Sequence, residues 1–465
     1  MSNLQHYHFV GIGGAGMSAL ARIYAGLGYT VSGSDIKDSA TLKALTDEFG
    51  IKTFVGHIAS NIEGADMLIS TAAVRGTNAE VDAALLAAVP VISRAELLGR
   101  LMTNYARSVA VSGTHGKTTT SAMIAQMLTV AKVDPTAVIG GDVPAWSSNA
   151  RMGKSDIFVA EACEAYGSFL LLSPTITVIT NVEADHLDHY ADLQAIRDAF
   201  SALLDKTSYY AVICGDDPES KLLAERHTDN VATYGLSEGC AIRGKINRLG
   251  AGSQFTVEAL GNYLGEIELS VPGRHNVVNA LAAVTVGNLL DIPFEDIAAG
   301  LKSFRGTGRR FEILGVTELD VVVVDDYAHH PTEIKATLDA ASNSYPERRV
   351  IAVFQPHLPS RTRDLMDDFA SAFDKADLVL LTDIFLSREK PIDGVTGALL
   401  ADKMRDVRGF AAVEYIENKD DLPAALDKFV RPGDVVITLG AGDIRTAAVR
   451  YLSATSATEE RLAHV

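Results

Sequence analysis

The residues best suited to chemistry lie in Ser112-Gly113-Thr114-His115-Gly116-Lys117-Thr118-Thr119-Thr120. Glycines let backbone N–H groups come close to phosphate oxygens, and a helix starting just beyond them adds partial positive charge. In such a loop Lys117 reaches the β- and γ-phosphates of a nucleotide and the Thr118 hydroxyl meets Mg2+. Gly113 and Gly116 are separated by two residues, fewer than the four of the usual phosphate-loop pattern. The plain alternative is an ordinary glycine turn. The flanks favour the loop: Ser108 to Val111 reads as a strand, and Ser121 to Leu128 has the apolar spacing of a helix.

A second glycine turn lies near the start, where Gly11, Gly13 and Gly16 have G-x-G-x-x-G spacing with Gly14 and Ala15 between them. A strand at Tyr7 to Val10, a helix at Ala19 to Leu27 and a strand at Tyr29 to Ser32 surround it, and Ser34 and Asp35 follow. This βαβ start suits a diphosphate. The pattern does not separate a dinucleotide from another nucleotide diphosphate, or either from a turn that only closes helix–strand packing.

Other polar clusters fall where strands end, the ligand side of a doubly wound sheet. Glu161 ends Asp156 to Ala160 and is placed to hold Mg2+ on a triphosphate. His186 lies in Asn181 to Asp188, which follows the strand at Ile176 to Thr180, and could hold a second cation or a phosphate. Asp325 to Pro331 follows Val321 to Val324, and Gln355 to Arg363 follows Val350 to Phe354. His329 and His330 lack further ligands at zinc spacing, so substrate contacts are the better reading. Arg361 and Arg363 suit a carboxylate or phosphate, because guanidinium binds planar anions bidentately. Arg309 and Arg310 mark a boundary from which an arginine could reach a γ-phosphate when domains close.

These clusters must be carried by alternating strands and helices. The expected architecture is α/β with three domains: Rossmann-like over 1–105, a central P-loop ATPase with a mainly parallel sheet over 106–308, and a doubly wound α/β domain over 309–465. That count fits 465 residues at about 150 per domain. Residues 230–272, glycine-rich with short alternating strands, are expected to form a β-rich flap, and Asn276 to Leu290 a helix. The tail after Ala454 is expected to fray. The formal net charge of −18 argues against binding nucleic acid or acidic membranes non-specifically. Cys163, Cys214 and Cys240 show no disulfide or zinc spacing. No secretory leader or bilayer-spanning apolar run is evident, so a cytoplasmic location is expected.

Together the motifs resemble those of the Mur ligases, the ATP-dependent amide-forming enzymes of peptidoglycan precursor synthesis. The strings that carry the resemblance are Gly113 to Thr120, Glu183 to Asp188, Pro272-Gly273-Arg274-His275-Asn276, Gly306 to Phe311 and Asp325 to Glu333. The short glycine spacing is usual in that family. The resemblance implies ATP-dependent joining of L-alanine to the lactyl carboxylate of UDP-N-acetylmuramate through an acyl phosphate, with Mg2+ (or Mn2+) as cofactor and a monomer or homodimer as the working form. It implies that Gly11, Gly13, Gly14, Ala15, Gly16, Ser34, Asp35, His57 and Arg94 bind the UDP-sugar, not NAD. Gly113, Thr114, His115, Gly116, Lys117, Thr118, Thr119, Asn276 and Arg309 would bind ATP. Thr118 and Glu161 would hold one metal ion and His186 a second, with Lys117, His186 and His330 as catalytic groups. Tyr327, His330, His357, Arg361 and Arg363 would receive the amino acid. Glu161-Ala162-Cys163-Glu164 departs from the family's usual Glu-Ala-Asp-Glu, and only Glu161 is carried over. Phe200 stands near the place where sister ligases for later amino acids carry a carbamylated lysine. An NAD-dependent oxidoreductase, a nucleotide-gated switch and a tripeptide-recycling ligase are the competing readings.

Overall fold

The computed structural model describes residues 5–71, 77–187, 189–408 and 412–455. The expectations for Asp188, for the first residues through Leu4 and for the tail beyond Thr455 lie outside them. The chain forms two compact units. One runs through Lys245 and adds Thr256–Ile267 and Val278–Phe304; the other comprises Ile246–Phe255, Glu268–Val277 and the chain from Arg305.

The first unit opens with a five-stranded parallel sheet, in spatial order Lys52–Val55, Thr30–Asp35, His6–Val10, Met67–Ser70, Val91–Ser93. Its order reverses at His6–Val10, so a crevice opens beyond that strand. The glycine turn sits there. The helix after it begins earlier than its apolar spacing suggested, at Ala15, with Gly14 as N-cap.

A ten-stranded sheet follows, in order Asn262–Leu269, Ser253–Ala259, Ile242–Leu249, Val231–Gly235, Tyr210–Cys214, Ile176–Ile179, Arg107–Ser112, Ile157–Glu161, Thr136–Val143, Ser148–Arg151. From Val231–Gly235 to Thr136–Val143 all neighbours are parallel. Arg107–Ser112 is the switch strand here, and the phosphate loop leaves from its carboxyl end. The β-rich character expected of 230–272 is borne out by Val231–Gly235, Ile242–Leu249, Ser253–Ala259 and Asn262–Leu269, but these strands join this sheet instead of standing apart as a flap. Tyr234 shows why, being fully buried with its hydroxyl donating to the Ile179 carbonyl at 3.2 Å. The glycines there punctuate turns between paired strands.

The five-stranded sheet and the central strands of the ten-stranded one contribute to one apolar core, in which Phe9, Leu20 and Leu98 belong with Val138, Phe158 and Phe200. Glycines permit the approach. A Cβ on Gly99 would lie 2.4 Å from the Leu171 carbonyl oxygen, and one on Gly26 2.5 Å from Met152 Sδ.

The second unit holds a six-stranded sheet ordered Glu312–Val316, Val322–Asp326, Val435–Leu439, Val350–Phe354, Leu378–Leu381, Val413–Tyr415, with only the first pair antiparallel. Alternate residues enter opposite cores: Val322, Val324, Ala352 and Phe354 one, Val321, Val323, Ile351 and Val353 the other. A sheet buried on both faces needs such apolar runs.

Candidate active site

Gly113 and Gly116 have φ of 129° and 81°, left-handed values that glycine reaches without strain. A Cβ on Gly113 would stand 2.0 Å from Thr180 Oγ1. The loop is tied to the neighbouring strand end: Thr114 N donates to the Asn181 carbonyl at 3.0 Å and His115 N to Asn181 Oδ1 at 2.8 Å. Gly116 then N-caps the helix Lys117–Val130, whose first turn carries the nearly buried Thr118 and Thr119. The first intrahelical bond is Thr120 N to the Gly116 carbonyl at 2.9 Å, so the N–H groups of Lys117, Thr118 and Thr119 precede it and suit an anion.

Lys117 Nζ donates to the carbonyls of Gly113 and Thr114 and lies 2.9 Å from Glu164 Oε2. Burial would lower the lysine's pKa, but the Glu164 carboxylate outweighs it and holds the ammonium above its ordinary value. Burial pushes Glu164 up in turn, while Lys117 and then His186 draw it below the usual carboxylate value. His186 Nε2 is 3.6 Å from Glu164 Oε1, and the residue takes a φ of 54°. Thr118 Oγ1 donates to Glu161 Oε2 at 2.7 Å, and Gly140 N donates to the same oxygen at 3.0 Å. A Cβ at Gly140 would meet Glu161 Oε2 at 2.2 Å and Thr118 Oγ1 at 2.9 Å, so any side chain there would push the Glu161 carboxylate aside.

At the N-terminal turn, Gly11 N and Ile12 N donate to the Ser34 carbonyl at 2.8 and 3.0 Å. Gly13 N donates to Asp35 Oδ2 at 2.9 Å. A Cβ on Gly16, in the turn's helix beside Ala15, would meet Arg94 Nη1 at 2.6 Å. His57 Nδ1 lies 2.8 Å from Ser34 Oγ. The nine residues expected at the sugar nucleotide therefore surround one turn.

In the second unit Arg309 takes a φ of 60°, and its guanidinium donates to Asp325 Oδ2 at 3.2 Å and to the Gly440 carbonyl at 2.8 Å. Arg309 and Arg310 lie 4.9 and 5.1 Å from the Tyr327 ring centroid. His330 N-caps the helix Pro331–Ser344, so it opens that helix beside Tyr327 and His329. Arg361 Nη1 stands 3.4 Å from His357 Nδ1, and His357 stacks on Phe385 at 5.9 Å. Arg363 pairs with Asp364 at 2.7 Å in an exposed position. The Asn276 amide donates to the Pro272 carbonyl at 2.7 Å.

Three residues escaped the sequence reading. Glu164 is the buried counterion of Lys117. Asn279 lies against the phosphate loop, its Oδ1 2.8 Å from where a Gly116 Cβ would stand. Glu80 sits behind Ser34 and His57. Asn279 was within reach, because it stands three residues beyond Asn276 on one helix.

Family models agree along the chain: the Mur ligase family catalytic domain over 6–106, the Mur ligase middle domain over 111–287, and the Mur ligase glutamate ligase domain over 309–442. UDP-N-acetylmuramate–L-alanine ligase of Geobacter sp. (strain M21) is 46% identical over 95% of both chains. The chain belongs to the Mur ligase family. Among solved structures, this Mur ligase resembles the UDP-N-acetylmuramate-alanine ligase of Thermotoga maritima with a TM-score of 0.83 and 31% identity, covering 97% of this chain and 98% of that one. The murein peptide ligase of Psychrobacter arcticus shares the fold at a TM-score of 0.69 and 24% identity, over 97% and 98% of the two chains.

Proposed function

We propose that this Mur ligase joins L-alanine to the lactyl carboxylate of UDP-N-acetylmuramate with consumption of ATP, as a step in building the peptidoglycan precursor. The observation that carries this reading is the 46% identity, end to end, with a ligase named for that reaction. We assign the UDP-sugar to the segment 1–105 around the first glycine turn, ATP to 106–308, and the amino acid to 309–465.

The muramyl carboxylate attacks the γ-phosphorus, and ADP leaves. Alanine's free amine then attacks the acyl carbon, and inorganic phosphate leaves with the former carboxylate oxygen. Both steps gather negative charge on crowded oxygens, so cations and oriented N–H groups matter more than a nucleophilic side chain. Lys117 moves from Glu164 to the β/γ-phosphates, and the N–H groups of the loop cradle them. Arg361, held beside His357, suits the amino acid's carboxylate. His330 is the candidate to take the proton that the attacking amine releases.

Thr118 and Glu161 converge as two oxygen donors, which fits a hard cation such as Mg2+ or Mn2+, and His186 would serve a second. The bound cations supply charge that offsets the γ-phosphoryl oxygens. Among the described residues no helix is long and apolar enough to cross a membrane. We assign the reaction to the cytoplasm, where ATP is available, and to a monomer or homodimer. The test is phosphate release with UDP-N-acetylmuramate and, separately, L-alanine, glycine, L-serine and tripeptide. L-Alanine is expected to dominate; a dominant tripeptide product makes the chain a recycling ligase.

A further inference from the structure

A buried polar group lies behind the N-terminal glycine turn and takes no part in the reaction above. Glu80, at the start of the helix Ala79–Leu86, is fully buried. Its Oε1 accepts from Asn61 Nδ2 at 2.6 Å and its Oε2 from Ser34 Oγ at 2.5 Å. His57 Nδ1 stands 3.1 Å from the same Oε2 and 2.8 Å from Ser34 Oγ. His8 Nε2 is 3.7 Å away. Burial pushes Glu80 up, but the nearby His8 ring and the hydrogen bonds from Ser34 and Asn61 pull it down to about 2, so the group is a carboxylate.

The proton count fixes the histidine. Ser34 gives its hydroxyl hydrogen to Glu80, so both atoms facing His57 Nδ1 are acceptors, and Nδ1 must carry the hydrogen. In the neutral ring Nε2 then holds a lone pair. Among the described residues Nε2 has no partner, and the ring is partly open to solvent, with 17% of its side chain exposed.

We propose that Glu80 is a positioning residue for the uridine end of the substrate: with Ser34 it grips His57 by Nδ1 and presents Nε2 as an acceptor for a nucleoside N–H or O–H. This rests on the reading of the N-terminal turn as the UDP-sugar site. Neutral glutamine cannot replace Glu80. Its NH2 would face either Asn61 or the Ser34–His57 pair, donor against donor, and the histidine would turn its ring or its tautomer.

The test uses the full chain with UDP as probe. Nitrogen-15 NMR of labelled histidines should find His57 protonated at Nδ1 alone in the free wild-type protein. Glu80→Gln should weaken UDP binding in calorimetry about tenfold or more. It should raise KM for UDP-N-acetylmuramate equally, while KM for ATP and kcat at saturation stay within about twofold. His57→Ala should weaken UDP similarly, and the double variant should bind no worse than His57→Ala alone. A wild-type His57 protonated at Nε2, alone or together with Nδ1, overturns the inference, whether or not any variant folds. So does UDP affinity within twofold of wild type in Glu80→Gln when His57→Ala loses tenfold; the UDP site then stands without Glu80. UDP affinity unchanged in His57→Ala removes the histidine's role and the inference with it. Absence of UDP binding by wild type defeats the site itself.

Discussion

Lys117→Met removes a phosphate ligand and also orphans a buried carboxylate, and the two losses carry different signatures. In the native protein Glu164 is depressed, so its contribution to stability is present above its unfolded pKa near 4.3 and is lost as pH falls through the folded value. Lys117 is raised, so its contribution is present below about 10.4 and is lost as pH rises through the folded value. Between about pH 5 and 10 the pair's contribution is level. With Lys117 gone, burial remains the leading influence on Glu164, and its folded pKa moves above the unfolded one. Breaking a buried pair costs about 3–5 kcal/mol. His186, 3.6 Å from the carboxylate, keeps the loss near the lower end. A loss of that size, with burial left unopposed by the lysine, moves the Glu164 carboxyl above its ordinary value. Lys117→Met should therefore be least destabilised in acid, where the carboxyl is protonated in both states, and lose stability as pH rises above the ordinary carboxylate range. Thermal unfolding at pH 5, 6, 7 and 8 reads this directly. Lys117→Met/Glu164→Gln, lacking both charges, should recover most of the lost stability. Phosphate release should stay about 10²–10³ below wild type in both variants, because the missing donor acts on transition-state charge. A single variant as stable as wild type at pH 8, or turnover within tenfold of wild type, refutes the reasoning.

Gly140→Ala should force the Glu161 carboxylate away from Thr118, lowering turnover about tenfold and raising the Mg2+ concentration needed for half-maximal phosphate release; KM for the UDP-sugar should not move. Arg361→Ala should raise KM for L-alanine about tenfold to hundredfold and leave ATP use within about twofold, as steady-state kinetics in each substrate will show. Gly99→Ala places a methyl against a backbone carbonyl that cannot step aside cheaply, so it should destabilise the first unit by about 1–3 kcal/mol in calorimetry, with the active-site residues untouched.

The phosphate loop was legible because its demands are local: left-handed glycines, a strand before, a helix and Lys-Thr after. Val350–Phe354, Leu378–Leu381 and Val435–Leu439 were legible as unbroken apolar runs bounded by polar residues. The edge strands Glu312–Val316 and Val413–Tyr415 were not, because Glu-Ile-Leu-Gly-Val and Val-Glu-Tyr owe their pairing to the neighbouring strand. Glu164 was hidden by a kink. Tyr166 and Gly167 both turn left-handed just after it, and no periodicity marks such a bend. Glu80 was hidden by distance, since it reaches Ser34 from 46 residues away. Long-range pairing of polar groups leaves no signature in spacing.

The core shared by the first two sheets bears on folding. Arg22 Nη1 donates to Asn149 Oδ1 at 2.7 Å, and Asn149 Nδ2 donates to the Ala15 carbonyl at 2.6 Å, sealing the rim of a seam whose interior is apolar. A fragment ending near residue 105 would open that seam to water and lay bare Leu20, Leu97 and Leu98. Such a fragment is expected to aggregate or to need detergent, although its own sheet is complete. In the intact chain the same seam couples the melting of the two sheets, so they should unfold in one transition and refold only after the second has been synthesised. The nucleotide-sugar crevice would then acquire its shape late, after the ribosome has passed the phosphate loop.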